Sequence, residues 1–315
     1  MKKILVTGGA GFIGSHIVER LLKEGHFVRV LDNFSSGKIE NLSFTHELRA
    51  KSYELIRGDI RSLDTCLKAT QGIDFILHQA ALRSVPKSML NPQEYNEVNI
   101  QGTLNLLKAA VKNRIKRFVF ASSSSVYGDI KVFPEKEDFL PCPISPYALT
   151  KLAGEHYCRI FSYHYHLSTL SLRYFNVFGP RQSLDDEYAV VIPKFITCLL
   201  KGEHPPIYGT GRQSRDFTYV KNVVEANLLA VKKGNFKGEV FNVASGRDYT
   251  VLELVKILRR IMDRNTKPVF LPPRLGDVFK TQADLSKIKR MLGYSPKIDF
   301  IQGLKLTVKY FQENA

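Results

Sequence analysis

The sequence predicts an α/β fold, a doubly wound parallel sheet followed by a second, smaller α/β domain, and three observations carry that expectation. Short apolar runs alternate with segments whose apolar residues recur at helical spacing. A glycine-rich turn joins the first run to the first such segment. Beyond about Tyr174 prolines crowd into the chain and the elements shorten.

Lys3 to Thr7 reads as a strand, followed by a glycine turn, a helix over Phe12 to Glu24 and a second strand over Phe27 to Asp32. Further strands are expected at Tyr53 to Ile56, Phe75 to His78, Arg117 to Ala121 and Thr169 to Tyr174. Helices over Gly102 to Lys112 and Tyr147 to Tyr165 lie between them. Such alternation buries parallel strands under helices on both faces. The reading divides the chain into residues 1–173 and 174–315, with segments of the second part returning to the first. Pro180, Pro193, Pro205-Pro206, Pro268 and Pro272-Pro273 punctuate that second part. Its natural place is over the C-terminal edge of the sheet, where open α/β folds bind ligands.

With 315 residues and 44% apolar content, the chain can bury one large core or two modest ones without staples. The run Met1 to Val6 is too brief for a signal-peptide core or a membrane span, so a cytoplasmic protein with no membrane partner is expected. Cys66, Cys142, Cys158 and Cys198 form no C-x-x-C pair, which fits neither a disulfide framework nor a zinc site. They are expected to be packing residues, and no metal is expected. The net charge of +16 attracts polyanions: nucleic acid, an anionic membrane or a phosphorylated small molecule. The basic residues are spread through expected helices, as at Lys256, Arg259, Arg260, Lys287, Lys289 and Arg290, and no nucleic-acid motif accompanies them. No nucleic-acid partner is therefore expected.

Gly8-Gly9-Ala10-Gly11-Phe12-Ile13-Gly14 satisfies both G-x-G-x-x-G and G-x-x-G-x-x-G, and it sits between an expected strand and an expected helix. Glycines permit the tight turn and the close approach of a pyrophosphate, to which the helix N-terminus adds partial positive charge. Asp32 ends the second strand, placed to accept hydrogen bonds from an adenosine ribose. A 2′-phosphate beside that acid would meet like charge, and the next residue is Asn33 rather than arginine, so NAD is favoured over NADP. The first domain is thus expected to be a Rossmann-type dinucleotide fold. Asp59, after the third strand, is a candidate for the adenine.

Tyr147 and Lys151 stand four apart at the start of a helix and share a face. A free phenol has a pKa of about 10, and a neighbouring ammonium together with an oxidised nicotinamide would favour the phenolate. Reaching neutrality asks for roughly three units, or about 4 kcal/mol. Tyr147 can then serve as general base on a hydroxyl whose carbon is oxidised and re-reduced. Ser122 to Ser125 follow the apolar strand at the same sheet edge, and one of these hydroxyls can bond the reacting oxygen and shuttle its proton.

With these motifs in this order, the chain resembles the extended short-chain dehydrogenase/reductase superfamily and, within it, the NAD-dependent UDP-sugar 4-epimerases. The likeness runs from Met1 to about Tyr310. It implies tightly held NAD, a nucleotide-sugar domain and a homodimer formed through a helix pair. It makes Ser123, four residues before Tyr127 of V-Y-G, the catalytic serine with Ser124 as helper, Tyr147 the base, and Lys151 its tuner and a ribose ligand. It carries the NAD contacts to Gly8, Gly11, Phe12, Ile13, Gly14, Asp32, Asn33, Ser36, Gly37, Asp59, Ile60, Gln79, Ala80, Ala81, Arg83 and Asn99. Arg83 stands where relatives carry lysine or glycine, which leaves its role open between NAD and substrate.

In the second half, Arg173 to Gln182 is similar to the family's nucleotide-sugar segment, where Asn176 would hold the pyrophosphate. Arg215 and Arg274 match its phosphate-binding arginines, and Asp277 would accept from a ribose hydroxyl. Two arginines suit a diphosphate, which takes charge-assisted bidentate bonds. Relatives that dehydrate or decarboxylate the sugar place an acid where this chain has Ser125, so the resemblance favours epimerisation at C4. Thr281 matches a position where tyrosine restricts some epimerases to plain hexoses. With Gln182 and Tyr188 to Pro193 it implies that a UDP-N-acetylhexosamine is accepted beside a UDP-hexose. A dehydratase or decarboxylase, and a non-catalytic relative that binds nucleic acid, are the alternatives.

Overall fold

The computed structural model describes residues 1–47, 52–183, 191–273 and 278–314. Arg274 and Asp277, and the stretch Tyr188-Ala189-Val190, lie outside the described residues.

Seven parallel strands form the central sheet. Lys3–Thr7 (β1), Phe27–Asp32 (β2), Tyr53–Arg57 (β3), Phe75–His78 (β4), Arg117–Ser123 (β5) and Ser168–Tyr174 (β6) come from the first half. Val177–Phe178 (β7), Pro206–Tyr208 (β8), Ser214–Asp216 (β9) and Thr218–Tyr219 (β10) follow. Lys237–Val243 (β11), Asp248–Thr250 (β12) and Val269–Leu271 (β13) complete the set. The sheet order is β11-β6-β5-β4-β1-β2-β3, so the direction of winding reverses between β1 and β4. Connections leave that point in opposite directions, which opens a crevice above the C-terminal ends of these two strands.

The expected strands are present, and three are longer than their apolar runs. β3 extends to Arg57, β6 begins at Ser168, and β5 runs on through Ser122 and Ser123. Those two serines pair with Arg173 and Tyr174 of β6. Pairing with β6, which continues past Phe120 where pairing with β4 ends, outweighs the poor strand propensity of serine. The helix Phe12–Lys23 opens on the glycine turn, and the helix Pro146–Tyr165 opens on Ser145, whose hydroxyl accepts from Ala148 N at 3.2 Å.

Past Tyr174 the chain divides its residues between two layers. The helix Val220–Lys232 and strand β11 return to the sheet and share its core. A second cluster, including Phe178, Phe195, Phe217, Tyr219, Phe300 and Leu304, forms the core of a smaller lobe. Small pairs β7–β10, β8–β13 and β9–β12 shape that lobe. Cys66, Cys158 and Cys198 are buried as packing residues, whereas Cys142 is exposed and does not pack, contrary to expectation. It sits in the extended segment ahead of Ser145, which crosses the surface. Among the described residues no helix is long and apolar enough to cross a membrane.

One buried ion pair fastens the helix Pro146–Tyr165 to the sheet. Arg173 Nε and Nη2 donate to Glu155 Oε1 and Oε2 at 2.9 and 2.8 Å, and Ser122 Oγ donates to Oε1 at 2.5 Å. Removing one partner strands the other charge in a dry interior. Glu155→Ala is expected to cost about 3–5 kcal/mol of stability, read by thermal or urea unfolding; a loss below about 1 kcal/mol would contradict this account of the helix.

Candidate active site

A cleft of about 650 Å³ lies over the crevice, lined from the glycine turn through the ends of β2 and β4 to Tyr147 and Lys151. The turn fits a pyrophosphate because it cannot carry side chains. A Cβ on Gly8 would lie 2.7 Å from Ala80 N, and one on Gly14 would lie 2.1 Å from Gly8 O. The helix that follows starts at Gly11 with no side chain capping it, so its first N–H groups are available to an anion at the cleft.

Asp32 is buried at the end of β2 and lines the cleft. Its carboxylate accepts from Ala10 N at 2.9 Å and Phe34 N at 2.8 Å, while burial pushes its pKa up against their pull. Its two oxygens keep lone pairs for a ribose. Gly37 packs on this carboxylate, since a Cβ there would lie 2.9 Å from Oδ1. Asp59 is turned more to the protein than the sequence suggested. Arg61 donates to it at 2.8 Å and holds its pKa down to about 2, and Asn33 Nδ2 donates to its Oδ2 at 3.1 Å.

Every residue expected at the cofactor lines this cleft except Asn99. Asn99 is buried and clamps the loop after β4: it accepts from Leu82 N at 2.9 Å and donates to Leu82 O and to Thr150 Oγ1, each at 3.0 Å. It therefore holds Ala80, Ala81 and Arg83 in place from behind. Gln79 is fixed by Tyr174, whose hydroxyl donates to Gln79 Oε1 at 3.1 Å.

At the inner end of the cleft stands the phenol of Tyr147, near enough to the Ser123 hydroxyl for it to draw the phenol's pKa down. Ser123 Oγ accepts from Ser125 N at 3.2 Å and from Ser125 Oγ at 2.9 Å, so the hydroxyl that touches Ser123 is that of Ser125. Ser124 begins the 3₁₀ turn Ser124–Tyr127 that carries the chain away from the strand. Lys151 is buried, its Nζ donates to Ala121 O at 2.8 Å, and it lies 5.9 Å from the centre of the Tyr147 ring.

The charge balance differs from the sequence expectation. Burial pushes the Tyr147 phenol above its ordinary value, against the Ser123 hydrogen bond and the Arg83 charge, which both draw it down. Burial also lowers Lys151 to about 7. A desolvated amine near half-protonation is a weak source of the field that would acidify the phenol, so the protein alone does not make the phenolate.

Of the residues expected at the sugar, Asn176 and Thr281 are joined around Asp216, and Gln182 stands at the cleft wall. Asn176, in left-handed backbone (φ 32°), a conformation that asparagine tolerates, donates to Thr281 Oγ1 at 3.0 Å and to Asp216 O at 3.3 Å. Thr281 Oγ1 also accepts from Asp216 N at 3.3 Å, and Arg215 is the neighbour of Asp216 on β9. Gln182 is buried at the cleft wall, with Nε2 donating to Val177 O at 3.1 Å and Oε1 without a partner among the described residues. Sequence reasoning missed Arg181, which lines the cleft from the far side. It pairs with Glu19 at 2.6 Å and lies over the Phe44 ring, while His16 Nε2 donates to Pro180 O at 2.9 Å. The G-P-R-Q segment was the available signal, but nothing in sequence ties it to a glutamate 162 residues earlier.

Comparison with known proteins agrees with this geometry. Residues 4–244 match the model of the NAD dependent epimerase/dehydratase family. A UDP-N-acetylglucosamine 4-epimerase from Methanobrevibacter ruminantium, solved with UDP-N-acetylmuramic acid, is 41% identical, with 100% of this chain and 99% of that one covered and a TM-score of 0.94. The UDP-glucose 4-epimerase of Thermus thermophilus, solved with NAD, is 36% identical, with both chains fully covered and a TM-score of 0.91. A UDP-N-acetyl-alpha-D-glucosaminuronate decarboxylase of Bacillus cytotoxicus is 35% identical over 323 residues, 99% of this chain and 98% of that one. The glycine turn, its acid partner and the serine-tyrosine-lysine group thus stand on a shared fold, and the chain belongs to the NAD dependent epimerase/dehydratase family.

Proposed function

We propose that this chain inverts C4 of a UDP-hexose or UDP-N-acetylhexosamine through a transient 4-keto sugar. The observation that carries this reading is that Tyr147 and Lys151 line the same cleft as the glycine turn and Asp32, with the Ser123 hydroxyl near enough to the phenol to draw its pKa down. It puts a proton path at the cofactor cleft, whose wall also carries Gln182. When bound, oxidised NAD supplies the hydride acceptor and a positive ring charge close to the phenol.

The protein supplies the rest. Ser123 Oγ accepts from Ser125 N, and when the rotatable Ser125 hydroxyl turns away its second lone pair is open to the C4 hydroxyl while its own proton points at Tyr147. Ser123 takes the proton from the C4 hydroxyl as it passes its own to the phenolate, and the reverse transfer re-protonates the inverted sugar. Lys151 holds the ring face and, with a pKa of about 7, can take up or release a proton near neutrality as the phenol changes charge. Arg83, exposed at the cleft, adds a positive field that favours the phenolate. Asn176, Arg215 and Thr281, with Arg274 and Asp277, bind the nucleotide and diphosphate. The small Thr281 side chain leaves room for an N-acetyl group.

The decarboxylase among the relatives raises the lyase alternative. Position 125 weighs against it: it holds a serine committed to Ser123, not an acid that could work on the ring. A dimer through the helix Pro146–Tyr165 is part of this reading. Leu149, Ile160 and Tyr163 form one exposed stripe of that helix, and Met89 and Leu90 are exposed on a helix packed against it.

Purified protein given UDP-GlcNAc and UDP-Glc in separate reactions is expected to return the C4 epimers, identified by NMR, and loss of water or carbon dioxide would reject the epimerase reading. Tyr147→Phe is expected to lower turnover by about 10³-fold or more with little change in UDP affinity. Thr281→Tyr is expected to suppress N-acetylhexosamine turnover while sparing plain hexoses; equal loss on both would refute the role given to Thr281. Sedimentation should show a dimer, and a monomer at micromolar concentration would contradict the helix-pair interface.

A further inference from the structure

Glu135 takes no part in the reaction, yet it is 1% exposed and fixed against the residues that carry the sugar-nucleotide site. Its backbone N donates to Gln282 O at 2.6 Å, and its carbonyl accepts from Asp284 N at 2.8 Å and Asn242 Nδ2 at 2.9 Å. These bonds join it to the 281–284 stretch in a parallel bridge with Ala283, so the side chain cannot swing out to water. Its Oε2 is buried with no hydrogen-bond partner among the described residues, and the Nη1 of Arg173 is in the same condition.

The link to β9 runs through Ala283, which bridges Glu135 and donates its N–H to Asp216 Oδ2 at 3.3 Å, and the charges that act on the Glu135 carboxyl are those of Asp216 and Arg215 from β9 and Arg173 from β6. Glu137, on the same segment, gives its carboxylate to Asn242 N at 2.8 Å and feels Lys287 and Asp284 instead. Asp216 is the knot of the neighbouring lobe. Its carboxylate accepts from Ser245 N, Ser245 Oγ, Gly246 N and Ala283 N, at 2.9, 2.6, 2.9 and 3.3 Å. Its backbone carries the bonds to Asn176 and Thr281, and its neighbour on the strand is Arg215. Whatever moves Asp216 moves all three.

We propose that Glu135 is a positioning residue for the diphosphate of the nucleotide sugar, acting through the 281–284 stretch and Asp216 on Asn176, Arg215 and Thr281. The choice of ligand rests on the epimerase reading. The electrostatics give the role its sign. Burial, and then the Asp216 charge, raise Glu135 to about 8 against the pull of Arg173 and Arg215. At neutral pH it therefore presents a protonated carboxyl, and Asp216 keeps its ring of donors. Above that value a second negative charge appears beside Asp216, strains the knot and offsets the Arg215 charge needed by a diphosphate.

The test measures UDP affinity of the full chain by calorimetry between pH 7 and 9, for the unaltered protein, Glu135→Gln and Glu135→Ala. The unaltered protein is expected to lose roughly tenfold in affinity as pH rises through about 8, the size expected of one buried charge at an effective dielectric near 20. Glu135→Gln, neutral and of the same shape, should bind at pH 7 like the unaltered protein and keep that affinity at pH 9. Glu135→Ala should bind several-fold more weakly at both. A pH course shared by Glu135→Gln and the unaltered protein overturns the proposal, as does affinity that is flat with pH or absent throughout. UDP binding with this pH course but without sugar turnover would remove the epimerase reading and leave Glu135 its role, whereas turnover with a flat course would do the reverse.

Discussion

The site depends on the burial of one amine. Lys151 hangs from the carbonyl of Ala121, two residues before Ser123 on the same strand, so a single hydrogen bond sets the helix Pro146–Tyr165 against the end of β5. One helical turn earlier on that helix stands Tyr147, which is thereby brought to Ser123. The ion pair of Glu155 with Arg173 holds the same helix further along. The dry surroundings that fix Lys151 also keep it near half-protonation and keep the phenol protonated. The protein thus builds the geometry of a general base and withholds the charge that would make it one.

That division of labour fits the proposed reaction, in which a keto intermediate must not be released. A phenolate formed only beside a positive cofactor ring ties proton removal to the presence of the oxidant. The same logic extends into the smaller lobe. Hydrogen bonds run from Ser122 through Glu155 to Arg173, whose charge also acts on the buried Glu135 carboxyl.

Much of this was legible in the residues. Strands buried on both faces read as continuous apolar runs, which is why β1, β2 and β4 match their expected limits. The glycine turn was legible because its backbone approach excludes any Cβ. Ser122 and Ser123 were not read as strand, since their strand character comes from pairing with Arg173 and Tyr174, 51 residues away. The same limit hid Arg181 with Glu19 and the bridge of Glu135 to Ala283: each is a long-range tie of a residue that looks like an ordinary surface charge in one dimension. Asn99 was assigned to the cofactor, whereas its side chain holds the loop that the cofactor would touch.

The most direct test of this account is the ionisation of the Tyr147 phenol, followed by ultraviolet difference spectroscopy against Tyr147→Phe with and without oxidised NAD. The account predicts a phenol that stays protonated past pH 10 in the free protein and ionises at clearly lower pH when NAD is bound. A midpoint that is the same in both states, or a phenolate already present at pH 8 without NAD, would contradict it.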